Sequence, residues 1–298
     1  MLGAEPAPLA DRKEPKGAAS RSDLAVRIAS ALVLAPLAIL AAYLPSRYPL
    51  VGSWLFGAFW LIAAIGVWWE WNALVSGPGN RLLFILGATA LTLAMIIAEF
   101  GAARTRTPIL IIALGALAIG VFARADRRTW AVGGLLYAGA VLTAPIVLRR
   151  DPEWGFIATL LLFAIVWATD IFGYFAGRAL GGRKLWPKIS PHKTWAGAIG
   201  GTSGATLVAA VAASLAGLQN IFTIALVALV LSIVAQAGDL FESAVKRQFG
   251  AKDASHLIPG HGGFMDRIDG FVAAATAAAS FGILRGSMDT VAQGLLLW

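Results

Sequence analysis

Between Gln236 and Gly270 the chain carries five carboxylates, Asp239, Glu242, Asp253, Asp266 and Asp269, and four cations, Lys246, Arg247, Lys252 and Arg267. Acids beside bases in one short stretch suit metal-assisted phosphoryl chemistry. Carboxylates hold a divalent ion such as Mg²⁺, while Lys and Arg hold phosphate oxygens. Asp266 and Asp269 stand three apart, so a helix starting near Gly263 puts both on one side, where they could share an ion. Within the stretch, Pro259-Gly260-His261-Gly262-Gly263 is stiff and then unusually free in its backbone. That order lets the chain turn sharply and bring His261 and bare N–H groups up to a ligand. A structural hydrogen bond is an equally good use of His261.

A second polar stretch runs from Ala168 to Gly201. Asp170 lies near the end of an apolar run, a costly place for a carboxylate, and is a functional candidate on that ground. The plainer alternative is an interfacial acid paired with Arg178. Arg178, Arg183, Lys184, Lys188 and Lys193 follow, with glycines and two prolines among them. Such a loop can wrap a polyphosphate, because cations neutralise it and Gly backbone N–H groups approach closely. Ser190, Lys193 and Thr194 are the candidate contacts here, against the plain alternative of an ordinary basic loop at a membrane surface. There is no Cys, which excludes disulfides, thiolate metal sites and Cys nucleophiles. No GxxxxGK[ST], HExxH or EF-hand loop occurs. Gly201-Thr202-Ser203-Gly204 falls short of a GxSxG elbow and reads as helix packing.

The elements that position these residues are membrane helices. Of the 298 residues 58% are hydrophobic and only 13% charged, and mean hydropathy is +0.75. A membrane helix needs about 20 mostly apolar residues. Nine runs qualify, at 28–44, 50–69, 82–98, 108–123, 130–148, 154–172, 196–217, 221–237 and 271–288, the last interrupted by Arg285. The expected fold is therefore an all-α polytopic membrane protein of about nine transmembrane helices. Residues 1–27 read as a disordered, Pro/Ala-rich basic tail, 28–150 as N-terminal helices, and 151–298 as the catalytic region with loops 173–195 and 238–270. No cleavable signal peptide or organelle-targeting segment is expected.

Threading nine helices with the N-terminus inside places eighteen Lys/Arg on the inner side and six outside. That positive-inside bias puts both polar loops in the cytoplasm, and with no organelle-targeting segment the expected membrane is an inner membrane. The +8 net charge is spread over short loops, so nucleic acid is not an expected partner. Trp54, Trp60, Trp68, Trp69 and Trp71 read as interfacial anchors and lipid-facing bulk, and Glu70 among them as an interfacial charge.

The run SAVKRQFGAKDASHLIPGHGGFMDRID, Ser243 to Asp269, resembles the signature of the phosphatidate cytidylyltransferase family, also called CDP-diacylglycerol synthases. A Ser, Lys-Arg, Lys-Asp, a Pro-x-His-Gly-Gly core and Asp-Arg-x-Asp all occur at the family's spacing. Gln236-Ala237-Gly238-Asp239-Leu240, Asp170 with Gly173-Tyr174-Phe175 and Gly177-Arg178, and Ser190-Pro191-His192-Lys193-Thr194 are similar to further family elements. Where many members carry Glu after the Ser-Pro-x-Lys-Thr element, this chain has Ala196; another acid such as Glu242 would have to cover that role.

The resemblance implies that CTP and phosphatidic acid give CDP-diacylglycerol and pyrophosphate at the cytoplasmic face of the bilayer. It implies Mg²⁺ held by Asp239, Asp266 and Asp269, with Asp170 and Asp253 as further metal candidates, and room for a second cation such as K⁺. Lys246, Arg247, Lys252 and Arg267 would hold the triphosphate and the lipid phosphate. Ser190, Lys193 and Thr194 would close the nucleotide side, with Ser243 a further substrate contact. His261, Gly262 and Gly263 would shape the turn or contact phosphate. A homodimer is the implied assembly. The competing expectation is a CTP-dependent polyprenol- or phytol-type lipid kinase, which would release CDP. A transporter fits less well, because the charges gather in two loops at one face. A CDP-alcohol phosphotransferase would need a DG-x-x-AR motif that is missing.

Overall fold

The computed structural model describes residues 21–77, 80–100, 106–255 and 263–298, with side chains from residue 32 onward. The chain runs α1 (Arg21–Arg47), α2 (Pro49–Ser76), α3 (Arg81–Phe100), α4 (Arg106–Phe122), α5 (Arg128–Arg149) and α6 (Gly155–Leu180). A two-stranded hairpin follows, β1 (Lys184–Trp186) and β2 (Ser190–Thr194), then α7 (Trp195–Leu215), α8 (Ile221–Gln248), α9 (Met265–Arg285) and α10 (Val291–Leu296). Among the described residues, α2, α3 and α5 to α9 are long and apolar enough to cross a membrane. Leu32–Arg47 and Arg106–Phe122 are shorter apolar helices. Each of the nine expected runs coincides with one of these helices. The fold is all-α and polytopic, with the small antiparallel hairpin as its β-structure among the described residues.

The helices outrun their apolar runs. At 1.5 Å per residue the 28 residues of α8 reach about 42 Å, about 12 Å more than a hydrocarbon core. A helix satisfies its own backbone hydrogen bonds, so leaving the bilayer gives it no reason to stop. Asp239, Glu242, Lys246 and Arg247 therefore ride on the last turns of α8, not in a loop. The expected loops 173–195 and 238–270 shrink to the hairpin connection and the segment between Gln248 and Met265. Likewise α1 starts at Arg21, inside the stretch assigned to the tail; residues 1–20 lie outside the described residues. Arg285, which breaks the ninth run, ends α9 and donates to the carbonyls of Gly294 (3.0 Å) and Leu297 (3.1 Å). It thereby ties down α10, which the apolar pattern did not announce.

The tryptophan expectation needs correction. Trp60, Trp68 and Trp71 are buried, while Trp69 remains exposed. Trp68 Nε1 donates to the Phe84 carbonyl (3.1 Å) and Trp71 Nε1 to the Trp130 carbonyl (2.8 Å). Trp60 stacks on Phe271 of α9. Gly87 and Gly134 leave room for two of these indoles, so bulk on α2 fills hollows on its neighbours and finds acceptors for its N–H groups.

Packing of α6 on α7 is glycine against glycine. A Cβ at Gly197 would stand 2.9 Å from the Gly173 carbonyl oxygen, and one at Gly201 would press on that of Thr169. This is the helix-packing role expected of Gly201 to Gly204. Gly181 and Gly182, with φ of +60° and +86°, then turn the chain into β1. Gly201→Leu is expected to destabilise the protein by about 1–3 kcal/mol through overpacking. Thermal unfolding in detergent measures it, and an unshifted midpoint would show that α6 and α7 separate easily.

Candidate active site

A cavity of about 540 Å³ opens where α6, β2, α7, α8 and α9 meet, and Asp170, Asp239 and Asp269 line it. Helical periodicity explains their aim. Asp170, Gly173, Tyr174 and Gly177 lie on one face of α6, and Gln236 and Asp239 on one face of α8. Two glycines bring α8 and α9 together. A Cβ at Gly238 would meet the Asp269 carbonyl oxygen at 2.8 Å, and one at Gly270 the Ala235 carbonyl oxygen at 3.1 Å. That approach sets Asp239 beside Asp269, close enough for their charges to interact, and Asp170 feels both.

Positive charge enters from the hairpin. Lys193 forms an ion pair with Asp239, and His192 lines the cavity beside it. Arg178 NH1 donates to Tyr174 OH (2.9 Å), both at the rim. Arg267, exposed on α9, is near enough to Asp170 to act on its charge. Thr194 borders the cavity but spends its hydroxyl as the N-cap of α7, accepting from Gly197 N (3.1 Å). Ser190 opens β2, in register with Trp186.

The donor set suits a hard divalent ion: three carboxylates, one shared with a lysine. Among the described residues no three His, Asp or Glu side chains are grouped so that they could hold a metal ion by themselves. Mg²⁺ does not need such a group, since it usually takes one or two carboxylates plus substrate phosphate oxygens. The residues fit such an ion.

Asp266 goes elsewhere. It forms an ion pair with Lys246 and accepts from Gly263 N (2.9 Å) and Ala254 N (3.2 Å). Lys246 also lies 2.8 Å from Glu242 Oε2, one turn back on α8, and both are buried. The two aspartates expected to share an ion have different protein partners: Asp266 holds the signature segment, and Asp269 faces the cavity. Glu242, the acid expected to cover for the one missing at Ala196, belongs to the buried network and not to the cavity lining. Lys246→Met, which leaves two buried carboxylates without their cation, is expected to cost about 3–5 kcal/mol. Chemical denaturation in detergent reads that loss, and a neutral outcome would free Lys246 for a phosphate.

Glu70, read as an interfacial charge, is fully buried. It accepts from Ser255 Oγ (2.5 Å), Phe264 N (2.8 Å) and Met265 N (2.7 Å). It caps the start of α9 from a helix position 195 residues away in sequence. Its signal was a lone acid in an apolar run, which is costly wherever it has no partner. Gly263 fits against this carboxylate, and any side chain there would collide with it.

The remaining candidates are dispersed. Ser243 is half-buried on α8. Arg247 donates to the Ala251 carbonyl (2.9 Å), closing the end of α8, while Lys252 and Asp253 are exposed just beyond. His261 and Gly262 lie outside the described residues. A second cavity, about 450 Å³, holds none of the signature acids, and its Arg124 and Arg127 are paired with Asp126.

The chain matches the model of the cytidylyltransferase family over residues 25–284. It is 39% identical to the phosphatidate cytidylyltransferase of Brucella abortus (strain 2308) over 272 residues, 91% of this chain and 97% of that protein. Shorter likenesses link it to proteins of the same name. That of Haemophilus influenzae is 45% identical over 42% of this chain and 45% of its own length. That of Bacillus subtilis (strain 168) is 39% identical over 46% and 51%. Matched along most of its length, with Asp269 of the signature run and Asp170 and Asp239 of the further family elements at one cavity between membrane helices, the chain belongs to the cytidylyltransferase family.

Proposed function

We propose that this enzyme transfers the cytidylyl group of CTP to phosphatidic acid, giving CDP-diacylglycerol and pyrophosphate. The observation that carries the proposal is the cavity lined by Asp170, Asp239 and Asp269, set between spans that can meet a lipid and open to a soluble nucleotide. A relative named for this activity, aligned over 97% of its own length, supports it. An anionic oxygen of the phosphatidate attacks the α-phosphorus of CTP. The new P–O bond forms as the bond between the α- and β-phosphates breaks, and pyrophosphate leaves. The nucleophile is already charged, so catalysis is alignment and charge neutralisation more than proton transfer. Lys193 brings positive charge from the hairpin side, where His192 also lines the cavity, and Arg178 brings it from the rim. Asp239 and Asp269, with Asp170, would hold Mg²⁺, which when bound offsets the triphosphate charge and polarises the reacting phosphate. The same acids leave room for a second cation such as K⁺. The positive-inside count supports a cavity that faces the cytoplasm, and an inner membrane is proposed with it. A homodimer is proposed from the family likeness alone, and light scattering in detergent tests it.

The direct experiment supplies the detergent-purified protein with phosphatidic acid, Mg²⁺ and CTP labelled at the α-phosphate. Label entering lipid with pyrophosphate release is the expected result. Label confined to soluble CDP, with phosphorylation of an added lipid alcohol, would turn the assignment to a lipid kinase. Chelation with EDTA is expected to stop transfer, and excess Mg²⁺ to restore it; activity that survives EDTA would remove the metal role.

A further inference from the structure

We infer that the β1–β2 hairpin is a seat for the anionic phospholipid headgroups of the leaflet, and that it guides the lipid substrate sideways into the cavity. The inference rests on the proposed lipid substrate. Connectivity places the hairpin: it joins the end of α6 to the start of α7, both membrane spans, so it sits at the membrane surface. The glycine contacts between α6 and α7 pin its two ends together.

The hairpin has two faces. Along β1 the side chains alternate, so Leu185 turns to the cavity while Lys184 and Trp186 are exposed. On β2, His192 and Lys193 continue the cavity wall. Outside, Arg183, Lys184 and Lys188 are exposed next to Trp186, Trp195 and Leu180. No Asp or Glu occurs anywhere between Asp170 and Asp239. Among the described residues only Lys193 of the hairpin cations is ion-paired, and its partner is in the cavity. Cations without acids, interleaved with indoles, match the chemistry of a headgroup layer: ammonium and guanidinium meet phosphate, and indole rings lie at the apolar boundary. Below the hairpin, exposed Tyr174 and Phe175 on α6 offer an apolar wall for acyl chains. A phospholipid held outside by Lys184 and Lys188 is thus one strand's width from Lys193 and the acids.

The test uses the full-length protein in phosphatidylcholine vesicles, with phosphatidic acid varied as mole fraction at saturating CTP. The variants are Lys184→Gln with Lys188→Gln together, and Trp186→Phe. Each basic residue at an anionic surface adds about 1 kcal/mol of attraction, so losing two is expected to raise the half-saturating phosphatidic acid fraction on the order of thirtyfold. The KM for CTP and the rate at saturating lipid should hold. An unchanged lipid dependence, or a rise in the KM for CTP instead, would overturn the inference. A second readout does not depend on turnover. Brominated phosphatidylglycerol should quench tryptophan fluorescence less in Trp186→Phe than in the parent, and high salt should shrink the difference. Equal quenching would overturn the seat even where transfer occurs. Absence of cytidylyl transfer in the parent would sink the proposed activity, and the quenching would still decide the seat.

Discussion

Asp269→Asn is expected to lower cytidylyl transfer by about a thousandfold or more while leaving a protein that melts close to the parent temperature. The amide keeps the volume of the carboxylate, and its oxygen can still accept from Gly270 N, now at 2.7 Å. What disappears is one of the three carboxyl groups that line the cavity. The matched experiment is Asp266→Asn. That carboxylate accepts from Lys246, Gly263 N and Ala254 N. An amide serves the two backbone donors with one oxygen and turns its own N–H groups toward the lysine. Its expected signature is a falling melting temperature with the rate falling alongside. Two aspartates three residues apart thus separate by their ratio of activity loss to stability loss, measured by label transfer and thermal unfolding on the same samples. Near-normal turnover in Asp269→Asn would move the reaction away from the cavity. A stable but inactive Asp266→Asn would return Asp266 to the metal.

The helices were legible because the bilayer imposes a composition on whatever crosses it, and nine apolar runs meet that demand. Their ends were not, because polarity marks where the membrane stops and not where the helix does; α8 shows this with its three last charged turns. The acids of the signature were legible as a set. Their division into a cavity group and a holding group was not, since Asp266 and Asp269 differ only in what packs against each: the end of α8 and Gly263 for one, Gly238 and the cavity for the other. The hairpin hid in a stretch rich in Gly and Pro that reads as loop. Glu70 hid for a different reason. Its partners are set by the packing of α2 near the start of α9, and no local pattern encodes a contact so distant in the chain.

Glu70→Gln carries the second large expectation: a loss of about 2–4 kcal/mol in stability, with transfer reduced about tenfold to a hundredfold. Both oxygens of the carboxylate are in use, Oε1 by Ser255 and Phe264 N, Oε2 by Met265 N. Glutamine supplies one acceptor and presents an N–H₂ to a donor, so a buried backbone N–H at the start of α9 loses its partner. The loss of negative charge at a helix N-terminus adds to the cost. Glu70 lines no part of the cavity, so its effect on rate must pass through α9, whose first turns carry Asp266, Arg267 and Asp269. Two measurements separate this route from simple unfolding. Ser255→Ala should lose less than Glu70→Gln, and the double variant should lose less than the two single losses added, because the serine hydroxyl and the carboxylate share one hydrogen bond. Glu70→Asp, which keeps the charge on a shorter arm, should recover part of the rate at a temperature where all variants are folded. If Glu70→Gln were as active as the parent at that temperature, the cap would hold α9 in the bundle without setting its aim at the cavity.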